Sequence, residues 1–189
     1  MTFARLRLAD WVAILAALAL LLVMATDWYS TAKGEEARRV EGLSEQAVPG
    51  AGGEVERQVN EDARFIAESQ ERNAWQADGG VDRAILIVLL VTAVLTVGAG
   101  FLRAAGRRFD PPLTPSALAA IAAAAGALLV TYRILQEPGL DDVSTIKAGA
   151  PLAVLVLGAI TLACARGLKR EEEGTQFREL PKPREPAAQ

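Results

Sequence analysis

The chain has no histidine among its 189 residues, and only one cysteine, Cys164. Without histidine it lacks the commonest metal ligand, the usual general base and the usual sensor of neutral pH. A single thiol can close no intrachain disulfide. Because Cys164 falls inside an apolar run, it reads as a small side chain in a packed helix. Net charge is only −3, so no global basic field points to nucleic acid. Phosphate loops, zinc-ligand spacings and nucleophile elbows are missing. No residue is expected to be catalytic, to bind a cofactor or to ligate a metal. The acidic pairs Glu35-Glu36, Glu61-Asp62 and Asp141-Asp142 read as solvated faces or turn caps.

What the chain does have is long apolar runs. Four stand out, at Leu8–Trp28, Ala84–Leu102, Ser116–Leu135 and Ala148–Leu168. At ~1.5 Å per residue, each is roughly long enough as a helix to cross a hydrocarbon core of about 30 Å. The expected fold is all-α, a four-helix transmembrane bundle in a multi-pass membrane protein. Arginine outnumbers lysine and alanine is abundant, a bias typical of GC-rich genomes, which suggests a bacterial origin.

Charge sets the expected topology. Arg5 and Arg7 precede the first run, Arg103, Arg107 and Arg108 follow the second, and Arg166, Lys169 and Arg170 follow the fourth. Residues 30–83 carry twelve Asp/Glu against seven Lys/Arg, a net of −5, and residues 136–147 carry three against one, a net of −2. Basic residues near span ends stay on the cytoplasmic side. Both termini and the loop after the second span are therefore expected in the cytoplasm of an inner-membrane protein, with 30–83 and 136–147 outside. Trp28, Tyr29 and Tyr132 would then mark the outer interface, and Phe3, Trp11, Phe101 and Phe109 the inner one. An alternative is cleavage of the first run as a signal peptide after the small residues Ser30-Thr31-Ala32. Its length and the anchor-like Asp27-Trp28-Tyr29 argue against that.

Small residues recur at helical spacing. Ala9, Ala13 and Ala17 form one strip, and Thr92, Thr96 and Gly100 another. The third run holds Ala119, Ala123 and Gly126 among many alanines, and the fourth holds Gly158. These are expected helix-packing positions, where backbones approach closely, and the third span is expected to lie against other helices rather than face lipid. The threonine hydroxyls can bond back to backbone carbonyls. Thr114 reads as the cap of the third span with Pro115 at its first position, and Pro151 fits the first turn of the fourth. Glu137-Pro138-Gly139 reads as the turn that ends the third.

Residues 30–83 form the expected outer segment. Val40, Leu43 and Ala47 predict a first amphipathic helix, broken by Val48 through Gly53. Val55, Val59, Ala63 and Ile66 predict a second, from Glu54 to about Trp75. Gly79-Gly80 separates it from the second span. Residues 169–189 read as a polar, unstructured tail, with Pro183-Arg184-Glu185-Pro186 a weak polyproline match. Ionisable groups within the spans are expected only near their outer ends, at Asp27 and Arg133. Their similar depth suggests either a structural ion pair or two side chains that each reach interfacial water.

The layout of four spans, a long first outer loop and a short second one resembles tetraspan proteins, including claudin-type ones. That resemblance is topological. The claudin-type Trp–Gly-Leu-Trp–Cys–Cys signature is absent from an outer loop that holds only Trp75 and no cysteine. Glu137-Pro138-Gly139 followed by Ala148-Gly149-Ala150-Pro151 also resembles small four-helix membrane proteins of actinobacterial-type genomes. It implies a fold and no activity.

Taken together, these features predict a non-enzymatic accessory, scaffold or interaction protein of the membrane. Its partners would be the lipid bilayer and a membrane protein or further copies of itself. The alternative is a small oligomeric channel or transporter lined by Thr92 and Thr96.

Overall fold

The computed structural model describes residues 6–46, 53–77, 79–106, 114–136 and 145–176. The chain is mainly helical, in the order α1 (Leu8–Met24), β1 (Asp27–Ser30), α2 (Ala32–Gln46), α3 (Glu54–Ser69), β2 (Glu71–Asn73), α4 (Gly80–Ala104), α5 (Pro115–Leu135), β3 (Thr145–Ile146) and α6 (Gly149–Gln176). Among the described residues, α4, α5 and the Gly149–Lys169 part of α6 are long and apolar enough to cross a membrane. The fourth apolar helix, α1, has 17 residues, about 25 Å.

These four apolar helices pack in one ring. Each of α1 and α5 lies against both α4 and α6. Their buried residues advance in steps of three and four. On α1 the seam is Asp10, Ala13, Ala17, Leu20 and Met24; on α4 it includes Ile85, Leu89, Thr92, Thr96 and Ala99. On α5 it runs through Ser116, Ala119, Ala123, Gly126 and Val130, and on α6 through Ala150, Ala153, Leu157, Ile160 and Cys164. A repeat averaging 3.5 residues keeps one stripe of each helix facing its neighbours, as in left-handed coiled coils and most four-helix bundles. The core is a single cluster that draws on all four helices.

Helix α1 is shorter than its apolar run. Helix α1 ends at Met24 because its last carbonyls find other donors. The Val23 carbonyl accepts from the Thr26 hydroxyl at 2.7 Å, and from the Trp28 indole N–H at 2.9 Å. The Met24 carbonyl accepts from the Ala74 amide at 3.1 Å. Residues 27–30 therefore leave the helix and form the central strand of a three-stranded antiparallel sheet, ordered β2-β1-β3. Tyr29 and Ser30 pair with Arg72 and Glu71 on one side and with Ile146 and Thr145 on the other. The register slips between Asp27 and Tyr29, a bulge of the kind that re-aims a short strand. The fold is all-α as expected, and this small sheet of two- to four-residue strands is an addition to it. It ends the second helix of the 30–83 segment at Ser69 rather than near Trp75.

Other boundaries lie close to the apolar runs. Thr114 caps α5 by accepting from the Ala117 amide at 3.2 Å, with Pro115 at the first helical position. Helix α6 continues through Gln176, well into the segment expected to be an unstructured tail. The Glu137-Pro138-Gly139 turn, Asp141-Asp142, Arg107, Arg108, Phe109 and Pro183–Pro186 lie outside the described residues.

The α5 expectation needs correction. Its small face is buried, but Leu118, Ile121, Leu128 and Leu135 point outward. Of the three long apolar helices it is the least covered by the rest of the chain. Small residues let two neighbours come close on one side; they do not surround the helix.

Candidate functional site

A charged layer closes the bundle core at each end. At the end holding the start of α1, Asp10 is 7% exposed. Its carboxylate accepts from the Arg7 amide at 3.0 Å, capping the first turn of α1. The Arg103 guanidinium, at the end of α4, donates to Asp10 and to the Ser116 hydroxyl on α5. An added Cβ on Gly167 of α6 would lie 2.8 Å from that guanidinium, so the arginine would have to shift to admit a larger residue. One arginine thus bonds to α1 and α5 and lies beside α6.

At the opposite end, Arg133 of α5 grips Asp82 in the first turn of α4. Its Nε donates to Oδ1 at 2.7 Å and its Nη2 to Oδ2 at 2.9 Å. Two parallel bonds make this a bidentate pair, the strong form of arginine–carboxylate contact. Tyr29 of β1 packs beside it. Burial pushes the Tyr29 phenol up to about 12, with the Arg133 charge opposing.

The expected Asp27–Arg133 pair does not form. Once α1 stops at Met24, Asp27 sits on β1 opposite Asn73, close to Glu71. Asp82 lies three residues before Ile85, on the same seam of α4, and so meets Arg133, three residues after Val130 on α5.

The expected helix-packing residues fall into two groups. Ala13, Ala17, Thr92, Thr96, Gly100, Ala119, Ala123 and Gly126 are buried in the bundle. A Cβ on Gly100 would lie 2.6 Å from Ile14 Cδ1, so this glycine sets the α1–α4 approach. Gly158 is the exception: it is half-buried, and a Cβ there would meet nothing within 4 Å. It lies one position past Leu157 on the seam and so turns off the contact. The Thr92 and Thr96 hydroxyls donate to the Val88 and Thr92 carbonyls, both at 2.7 Å, which satisfies them within their own helix.

Sequence reasoning missed the Asp10–Arg103 and Asp82–Arg133 pairs. Reading the apolar residues at steps of three and four, rather than as blocks, would have found them. Asp10 precedes Ala13 by three and Arg103 follows Ala99 by four.

Beyond the Asp82–Arg133 end lies a cap built from the sheet and the α2–α3 hairpin. The two helices pack on each other through Ala37, Ala63 and Ala67. Gly34 starts α2 hard against the strand ends: a Cβ there would lie 2.8 Å from Ser30 Oγ and 3.0 Å from Gln70 Cβ. Arg38 of α2 pairs with Glu71 of β2, and Glu35 pairs with Lys147 beside β3. The hydrogen bond from Lys147 holds the Glu35 carboxyl below the usual range. Burial and then the Asp27 charge push Glu71 upward, against the pull of Arg38. Outward, the hairpin exposes Val40, Leu43, Val59, Phe65 and Ile66; Phe65 is 73% exposed.

Among the described residues, no three His, Cys, Asp or Glu side chains converge to hold a metal ion. No family model, curated protein or solved structure matches this chain.

Proposed function

We propose that the chain is a four-span protein of the cytoplasmic membrane, with both termini in the cytoplasm and the α2–α3 hairpin outside. Asp82 and Arg103, which belong to the two charged layers, lie 21 residues apart on α4. That is about 31 Å of helix, close to the ~30 Å hydrocarbon thickness. Helix α1 is short, but it supplies a full seam of the same core, with Ala17, Leu20 and Met24 wholly buried. Such packing is what supports its retention as a fourth span. The strand pairing of Ser30 on both sides likewise argues against cleavage next to it.

Its role, in this reading, is non-enzymatic: an accessory or interaction protein. The observation that carries the reading is where the free surface lies. The small-residue faces are spent inside the bundle, and both core ends are sealed by ion pairs. Leu43 and Phe65 stand exposed on a water-facing hairpin instead, where isolated apolar groups gain nothing from lipid. A partner protein meeting that hairpin accounts for them. The channel alternative would need Thr92 and Thr96 to line a pore, whereas both are buried and bonded to their own helix.

The test is gentle extraction from the native host membrane into nanodiscs, followed by mass measurement of intact particles. The accessory reading predicts a second membrane protein at fixed stoichiometry, lost with Leu43→Glu/Phe65→Glu while the bundle stays folded. A pure homo-oligomer that conducts ions in liposomes would overturn it.

A further inference from the structure

We infer that the α2–α3 hairpin is an ionically latched arm, held beside β3 by Glu35–Lys147 and able to swing on its β1–β2 neck when that pair is broken. The hairpin leaves β1 through Thr31 and returns to β2 through Gln70, and the Thr31 hydroxyl donates to Gln70 Oε1 at 2.9 Å. Among the described residues, its two helices pack chiefly on each other rather than on the bundle. The Arg38–Glu71 pair joins α2 to β2, the strand the hairpin itself runs into, so it braces the neck. Glu35–Lys147 is different, because it reaches across to the connection between α5 and α6.

Lys147 is a fixed anchor. Its amide donates to the Trp28 carbonyl at 2.9 Å, and β3 pairs with β1 immediately before it. Two residues later Gly149 presses on the α1–β1 junction, where a Cβ would lie 2.6 Å from the Asp27 carbonyl oxygen. The latch thus has one rigid side and one side on a projecting hairpin. Both of its side chains are partly exposed, Lys147 at 23% and Glu35 at 29%. Ions can therefore compete for it, and salt weakens such a pair. Groups facing Glu35 are Lys147, Arg38 and Ser30; those facing Glu71 are Arg38 and Asp27. The arm carries Leu43 and Phe65, so its position decides how that apolar surface is presented. The inference concerns the arm alone and holds whether or not a partner is found.

The experiment uses the full chain in nanodiscs, with Cys164→Ala and spin labels at Arg64→Cys on the arm and Gln136→Cys at the end of α5. Pulsed electron–electron distance measurement reports the arm's position. Lys147→Gln, Glu35→Gln and about 1 M salt should each broaden the distance distribution, raising the displaced population by roughly fivefold. The exchanged pair Glu35→Lys/Lys147→Glu should restore the narrow distribution, and this rescue separates a latch from general misfolding. An unchanged distribution in both single variants would overturn the inference, as would an exchanged pair as broad as the singles with the bundle's melting temperature unaltered.

Discussion

The Asp82–Arg133 clamp gives the sharpest energetic prediction. Its side chains are 29% and 18% exposed, between the surface pairs worth about 0–1 kcal/mol and the buried ones that lose about 3–5 kcal/mol when one partner is removed. Bidentate geometry adds to it. We predict a coupling energy of about 1–2 kcal/mol in a cycle of Asp82→Asn, Arg133→Gln and the double variant. For a chain of this size, that corresponds to roughly 2–8 °C of melting temperature. The assay is thermal unfolding in nanodiscs followed by tryptophan fluorescence; Trp28 and Trp75 report the cap. The second variant should cost little once the first is present. A parallel cycle of Asp27→Asn with Arg133→Gln should show coupling below about 0.5 kcal/mol, as for residues that share no contact. Additive losses at Asp82 and Arg133, or larger coupling at Asp27, would refute the assignment.

Three further outcomes are expected. At the other core end, Asp10→Asn removes the carboxylate charge that faces the Arg103 guanidinium and should cost about 2–4 kcal/mol, while Asp10→Leu/Arg103→Met should recover part of the loss; denaturant titration of both variants checks this. Gly158→Ala should stabilise by roughly 0.5–1 kcal/mol, since a Cβ there meets open space, whereas Gly100→Ala should destabilise unless Ile14 is shortened to Val; melting curves separate the two. The combined contribution of Glu35 and Glu71 to the cap should be greatest near the ordinary carboxylate value of 4.5. Glu71, whose folded value is raised, stabilises below its unfolded value, and that contribution fades as pH rises through the folded one. Glu35, whose folded value is lowered, stabilises above its unfolded value and loses this as pH falls through the folded one. Hydrogen exchange of the cap against pH should therefore flatten on the alkaline side in Glu71→Gln and on the acid side in Glu35→Gln.

The helices were legible in the sequence because they announce themselves by length and hydropathy. Thr114-Pro115 also fixes the start of α5 locally, through one side-chain acceptor and one preset dihedral. The sheet was not legible. Its strands are two to four residues long and come from three separate connections, so no local periodicity marks them. Asp27 shows the consequence. Read as the last turn of a span it faces Arg133, but the non-local demand of Ala74 for the Met24 carbonyl ends the helix first. The charged layers were legible in principle. Asp10, Arg103, Asp82 and Arg133 all continue the three-and-four spacing of the seams, a signal hidden when each span is treated as a uniform apolar block. Gly158 shows the reverse error, since a small residue in a span need not lie on the seam. The direction of the hairpin's apolar groups needed the α2–α3 pairing, which amphipathic spacing does not specify.

We propose a four-span bundle with the hairpin outside and α1 retained. Single cysteines at Arg7, Arg64 and Lys169, each in a Cys164→Ala background, test it directly with a membrane-impermeant maleimide on intact cells. Labelling is expected at position 64 alone, with 7 and 169 reacting only after permeabilisation and the mature mass including residues 1–32. Labelling of position 7 on intact cells, or a mature chain that begins after α1, would contradict it.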